Sequence, residues 1–239
     1  MGGDLHYDWN YAAASALDWW VEAGVDTLVE DDVRDWLARL PRPAAVPVEI
    51  IPVVEDLPDT LEAFVAWRQS DDAPEARWHS ALLAPQGNAG APLMVLLDMP
   101  EAGDAETGTL LSGPEGRLLD RMLAAIGRSR ATVQLATIAL ARPLSGAIAR
   151  DVEPRLFELA RRYVQLARPT QLLLMGNLAQ RAFSGTEDSA GSGRLQDLNH
   201  DDGTTKVVAT LHPRMLLERP ARKAEAWRHL QLLIGDNEQ

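Results

Sequence analysis

The chain has 239 residues, 23 of them Lys or Arg and 35 Asp or Glu, so its formal net charge is −12 and its pI about 4.8. At about 150 residues per domain, that length suits one large domain or one domain with an appended subdomain. A composition of 46% hydrophobic and 24% charged residues is that of a globular protein. No apolar run approaches the roughly 18 to 20 residues of a helical membrane span, and the absence of cysteine excludes disulfides, thiolate catalysis and Cys-ligated metals. Residues 1–9 are acidic and polar, without the basic and apolar regions of a secretion signal, so a cytoplasmic location is expected. Residues 1–150 carry 11 basic and 23 acidic side chains, and residues 151–239 carry 12 of each. Contact with a polyanion would therefore have to use a local basic face in the second part. Only Lys206 and Lys223 are lysines.

Along the chain, Ala12, Ala16, Trp19, Trp20 and Ala23 keep helical spacing up to Gly24. Val29, Val33, Trp36 and Leu37 mark a second helix with an acidic first turn. The tryptophans here are expected to anchor a small core. Five prolines in residues 41–58 predict an extended linker, with a short strand over Val48–Val54. Thr60–Gln69 reads as a short helix capped by Asp59 or Thr60.

From Pro92 strands and helices alternate. Leu93–Leu97 is an unbroken apolar run, the mark of a strand buried on both faces. Leu118–Ile126 reads as a helix, Ala131–Leu140 as a strand and Glu153–Ala167 as a helix. Leu172–Met175 is a third strand and Leu178–Phe183 a short helix. Ser184–Gly203, rich in Gly, Ser, Asp and Asn, reads as a surface loop, followed by a strand at Lys206–Leu211 and a helix at Arg222–Ile234. The pattern predicts an α/β fold, a three-layer α/β/α sandwich around a four-stranded, mainly parallel sheet over residues 76–239. Residues 1–75 form a helical extension with a Pro-rich linker. Ligands bind at the carboxyl ends of such strands, which directs attention to Asp98-Met99-Pro100, Thr137 to Pro143, Gly176-Asn177 and His212-Pro213. There is no internal repeat, no G-x-G-x-x-G and no Walker loop.

Those strand ends, in order, resemble the uracil-DNA glycosylase superfamily, and within it the family 4, iron–sulfur-containing bacterial type. Leu97-Asp98-Met99-Pro100-Glu101 stands where that type has Gly-Glu-Ala-Pro-Gly. Gly116-Arg117-Leu118-Leu119-Asp120-Arg121-Met122-Leu123 matches its Ala-Gly-x-Leu-Leu-Asp-x-Met-Leu helix. Thr137 to Pro143 is in register with Asn-x-x-x-Cys/Trp-Arg-Pro, and Met175-Gly176-Asn177-Leu178-Ala179 with Leu-Gly-x-x-Ala. His212-Pro213, Leu216-Leu217, Pro220, Lys223 and Trp227 match the closing motif.

The resemblance implies the fold above and a chemistry in which a base is flipped out of DNA and its N-glycosidic bond hydrolysed. Asp98 would be the carboxylate and His212 the donor to the leaving base. Met99, Pro100, Leu111 and Thr137 would form the base pocket. Arg214, Met215, Leu216, Arg219 and Lys223 would form the DNA-contacting end. Several of these positions depart from the family. Asp98 replaces Glu, which retracts the carboxylate by one methylene and costs about 10²-fold in a positioned reaction. Thr137 replaces the uracil-reading Asn, Leu111 the stacking Phe, and Leu97 and Glu101 the two glycines. Ala141 stands at one cluster cysteine, so no cofactor is expected. Five changes in the pocket beside intact framework motifs favour a degenerate relative. The expected function is a non-catalytic or weakly active binding module in DNA repair or replication, with an active, cluster-free DNA glycosylase as the alternative. DNA is expected to bind weakly, a repair or replication protein is an expected partner, and the chain is expected to be a monomer.

Overall fold

The structure is a computed structural model that describes residues 9–22, 57–184, 193–200 and 203–234. Contacts divide the chain into residues 1–54 and 55–239. In the first unit, helix α1 spans Trp9–Glu22. The rings of Trp19 and Trp20 meet edge to face at 5.9 Å, yet the residues are 63% and 51% exposed. The expectation that they anchor a core is corrected for these two. The edge of one indole rests on the face of the other, and both rings stay largely exposed. Trp36, the helix expected around it and the strand at Val48–Val54 lie outside the described residues.

The second unit is built on a six-stranded sheet ordered β1-β3-β2-β4-β6-β5. Strands β2 (Leu93–Leu97), β3 (Val133–Thr137), β4 (Gln171–Met175) and β6 (Gly203–Thr210) run parallel. These are the four expected strands. Two antiparallel edge strands, β1 (Gln86–Gly87) and β5 (Leu195–His200), were not expected. The segment read as a surface loop thus contains a strand. Its polar sequence, Leu-Gln-Asp-Leu-Asn-His, suits an edge strand, which needs little apolar surface because the backbone ladder with β6 holds it.

Helices cover both faces, giving the three-layer sandwich. Successive side chains of each central strand point to opposite faces, so Met94 and Leu96 join one core, and Leu93, Val95 and Leu97 the other. The first core is closed by α2 (Leu61–Arg68), α5 (Glu153–Ala167) and α6 (Asn177–Ser184) through Phe64, Leu156, Tyr163 and Ala179. The second is closed by α4 (Pro114–Ala125) and α8 (Lys223–Ile234) through Leu119, Leu123, Leu230 and Leu233. Two short α-helices, α3 (Asp104–Thr107) of four residues and α7 (Pro213–Glu218) of six, follow the ends of β2 and β6.

Residues 57–75, expected in the N-terminal extension, pack as part of the sheet unit. Helix α2 is capped by the Thr60 hydroxyl, which accepts from Ala63 N–H, and Phe64 is fully buried against Tyr163. A buried ion pair fastens this segment to the end of β3. Arg68 donates to Glu75 at 2.6 and 2.9 Å and to the Ile138 carbonyl at 2.9 Å, while Glu75 accepts from the Leu140 N–H at 3.0 Å. Removing one partner strands the other charge in the interior. The Glu75→Ala variant is expected to lose about 3–5 kcal/mol of unfolding free energy in urea, and Glu75→Gln to lose less because its amide oxygen still accepts.

Candidate active site

The parallel register aligns the carboxyl ends of the central strands. Leu97 pairs with Thr137 and Met175, and Met175 with Thr210. The residues just beyond, Asp98, Gly176 and Leu211-His212, therefore emerge side by side along β2, β4 and β6. They border a cavity of about 240 Å³ whose walls include Met99, Glu101, Asn177, Gln180, Arg214 and Met215.

Asp98 reaches over β4 to the start of α6. Its Oδ1 accepts the Ala179 N–H at 2.8 Å, so the carboxylate serves the open amide end of that helix. The approach requires Gly176, which has φ +124°. A Cβ there would fall 2.4 Å from Asp98 Cγ and from both carboxyl oxygens. Burial raises the Asp98 pKa to about 6, against the opposing pull of the Ala179, Leu178 and Asn177 amides and of Arg181. At neutral pH the group is ionised but basic enough to accept a proton.

His212 caps α7. Its Nδ1 accepts the Arg214 N–H at 3.2 Å, and Pro213 occupies the first helical position, where no N–H is needed. With Nδ1 engaged as acceptor, the neutral ring carries its proton on Nε2. Burial first, then Arg214 and Arg142, lower the His212 pKa to about 4. It is a neutral N–H donor at physiological pH.

The loop after β2 is organised by Asp104, which is fully buried. It accepts from the N–H groups of Glu101, Leu111 and Ser112 and from the Ser112 hydroxyl, each at 2.8 Å. This places Glu101 in the cavity wall. Its Oε2 is engaged by the Arg214 guanidinium, while its buried Oε1 has no hydrogen-bond partner and lies 3.7 Å from His212 Nε2.

Of the residues proposed from sequence, the fold brings Asp98, Met99, His212, Arg214 and Met215 to this cavity. Pro100 is buried behind it, its carbonyl accepting from Arg142 at 3.1 Å. Leu111 and Thr137 do not line it. Leu111 is 1% exposed in the α4-side core, and its φ of +51° carries its N–H to Asp104 and its carbonyl to Arg130. Thr137 ends β3, on the far side of β2 from β4 and β6, and borders a separate cavity of about 10 Å³ with Phe64 and Tyr163. Leu216 is also core, packed with Leu211 and Ala226, so it is not presented to DNA. Arg219 and Lys223 are exposed. Sequence reasoning passed over Gln180, and it gave no role to Asn177, noted only as a strand-end residue, or to Glu101, noted only as a departure from a family glycine. The signal available for Glu101 was a charged residue at a family glycine, directly after the strand-end Asp98-Met99-Pro100.

A family model described as the Uracil DNA glycosylase superfamily matches residues 84–231, more than half of the chain. The chain belongs to that superfamily. Among curated proteins it is similar to the type-4 uracil-DNA glycosylase of Archaeoglobus fulgidus, with 26% identity over 149 residues covering 58% of this chain and 73% of the relative. The superfamily match begins at residue 84 and closes within α8, so it contains the cavity and all four parallel strands. The iron–sulfur cluster implied by the family 4 resemblance requires thiolate ligands. The chain has none, and at one cluster position the small Ala141 side chain is packed fully into the interior. The residues present do not fit a cluster.

Two outcomes follow from the Asp98–Gly176 contact. Gly176→Ala drives a methyl into the carboxylate from a backbone conformation hostile to L side chains, and should cost at least about 2 kcal/mol in chemical denaturation. The Asp98 pKa is higher in the folded chain than its ordinary 3.8. Ionisation therefore costs stability progressively as pH rises from about 4 to about 6, and the cost persists above. Asp98→Asn should gain on the order of 1 kcal/mol at pH 7.5, measured by urea unfolding, and should show no gain at pH 3.5.

Proposed function

We propose that the cavity accepts a base extruded from DNA and hydrolyses its N-glycosidic bond slowly, without a cluster. The observation that carries this reading is the convergence of an ionised carboxylate with a pKa of about 6 and a neutral imidazole donor on one cavity. Asp98 would hold a water and take its proton as the water oxygen bonds to C1′ of the sugar. The electron pair of the breaking bond leaves with the base nitrogen, and the Nε2–H of His212 hydrogen-bonds the base oxygen on which charge gathers. The oxocarbenium-like sugar is stabilised by the same carboxylate. The short side chain of Asp98 and its bond to α6 both restrict its reach, which is why the proposed rate is low. The exposed Arg219 and Lys223 beside α7 supply the positive charge for a phosphate backbone in an otherwise acidic chain.

A second reading, base or DNA binding without hydrolysis in the service of a repair or replication partner, is favoured by one specific feature. The Asp98 carboxylate already has a structural use at α6.

The test is uracil release from single- and double-stranded oligonucleotides with protein in excess. Release is expected, reduced at least about 10²-fold in Asp98→Asn. Its rate should fall tenfold per pH unit below about pH 6, as Asp98 takes up a proton, with no second limb between pH 5 and 8 because His212 stays neutral there. No release over hours, with DNA or free-base binding retained, selects the second reading.

A further inference from the structure

Glu101 stands in the cavity wall, and the hydrolytic chemistry does not use it. Its carboxylate has two different surroundings. Oε2 is held by the guanidinium of Arg214, on the first turn of α7. Oε1 is buried, lacks any hydrogen-bond partner, and lies 3.7 Å from His212 Nε2, too far for a hydrogen bond. The side chain is only 11% exposed, and its backbone is pinned by the bond from Glu101 N–H to Asp104. A buried carboxylate oxygen can only accept, and left unmatched it is costly. A ligand N–H in the cavity would satisfy it.

The neighbours of that oxygen define what else the ligand must offer. On the Oε1 side stands the Nε2–H of His212, a donor because Nδ1 already accepts from Arg214 N–H. On the Oε2 side stands the Arg214 guanidinium, which has five N–H groups and no acceptor. Arg214 is 41% exposed, so part of the fork is free to face solvent or a ligand. The wall thus presents a donor, an acceptor and a donor in succession. The complementary edge is acceptor, donor, acceptor, which is a cyclic imide: a ring N–H between two carbonyls. Cytosine and adenine lack that edge, since each places a ring acceptor beside its amino group and would set that acceptor against the carboxylate.

We propose that Glu101, flanked by His212 and Arg214, is the specificity-determining residue of this pocket and selects bases with an imide edge. This rests on the reading that a base enters the cavity. It assigns recognition to the loop after β2 instead of to Thr137, which lies outside the cavity.

The experiment measures binding of free bases to the full chain by saturation-transfer NMR and calorimetry. The probes are uracil, 3-methyluracil, whose imide N–H is replaced by a methyl, and cytosine. Uracil is expected to bind about tenfold or more tightly than either of the others, as in sites whose buried polar groups go unpaired when the wrong analogue enters. Glu101→Ala should abolish the preference, while Glu101→Gln, whose amide oxygen still accepts, should keep part of it. Thermal unfolding of each variant checks that the fold is intact. Equal binding of uracil and 3-methyluracil by the wild-type chain, or a preference that survives in Glu101→Ala, overturns the inference and leaves the base-pocket reading standing. Failure of every base to bind the wild-type chain overturns both.

Discussion

The carboxylate of Asp98 rests against the first turn of α6, above a residue that has no side chain. Much else in the site depends on that contact. It ties the end of β2 to the start of the helix that follows β4, and so holds two neighbouring strands at a common level. It is possible only because Gly176 leaves room and adopts a backbone angle that other residues resist. It also buries a charge, and the resulting upward pKa shift makes Asp98 a base of useful strength at neutral pH. One steric vacancy thereby links the register of the sheet to the chemistry of its edge.

Three of the acidic side chains in this loop region, Asp98, Glu101 and Asp104, are withdrawn from solvent, and their surroundings separate their roles. Asp104 is saturated by four donors and acts as the hub of the loop from Glu101 to Ser112. Asp98 keeps one oxygen on the Ala179 amide of α6 and is part of the cavity wall. Glu101 is paired on one oxygen and unmatched on the other. A buried carboxylate with its donors supplied is structural, and one with a donor missing is open to a ligand. The histidine between them contributes no positive charge at neutral pH. In the proposed reading, positive charge for a phosphate backbone comes from the arginines and Lys223 near α7, of which Arg214 is partly neutralised by Glu101.

Much of the architecture was legible before any coordinates. The four parallel strands are written as apolar runs because residues on both faces of a covered sheet are buried, and the helices between them follow from amphipathic spacing. His212 and Asp98 were found because they end strands in a motif order shared with a known superfamily. The edge strands were not legible. β1 is two residues long, and β5 is polar because an edge needs a ladder partner more than an apolar face. Helix α2 was assigned to the extension because a proline-rich stretch precedes it; the burial of Phe64 and the bonds of Arg68 and Glu75 to Ile138 and Leu140 attach it to the sheet.

By itself, the sequence determined the fold class, the strand order along the chain, the absence of thiolate ligands and the pairing of a strand-end aspartate with a strand-end histidine. These are properties of local pattern and residue chemistry. Which side chains share the cavity was decided by the tertiary structure alone. Thr137 and Leu111 hold motif positions, yet strand order puts one beyond β2 and a positive-φ backbone turns the other into the core. Glu101 and Arg214 are 113 positions apart and meet because β2 and α7 lie at the same sheet edge. A motif records which residue follows which strand. Neighbourhood across strands is set by packing, which no linear spacing encodes.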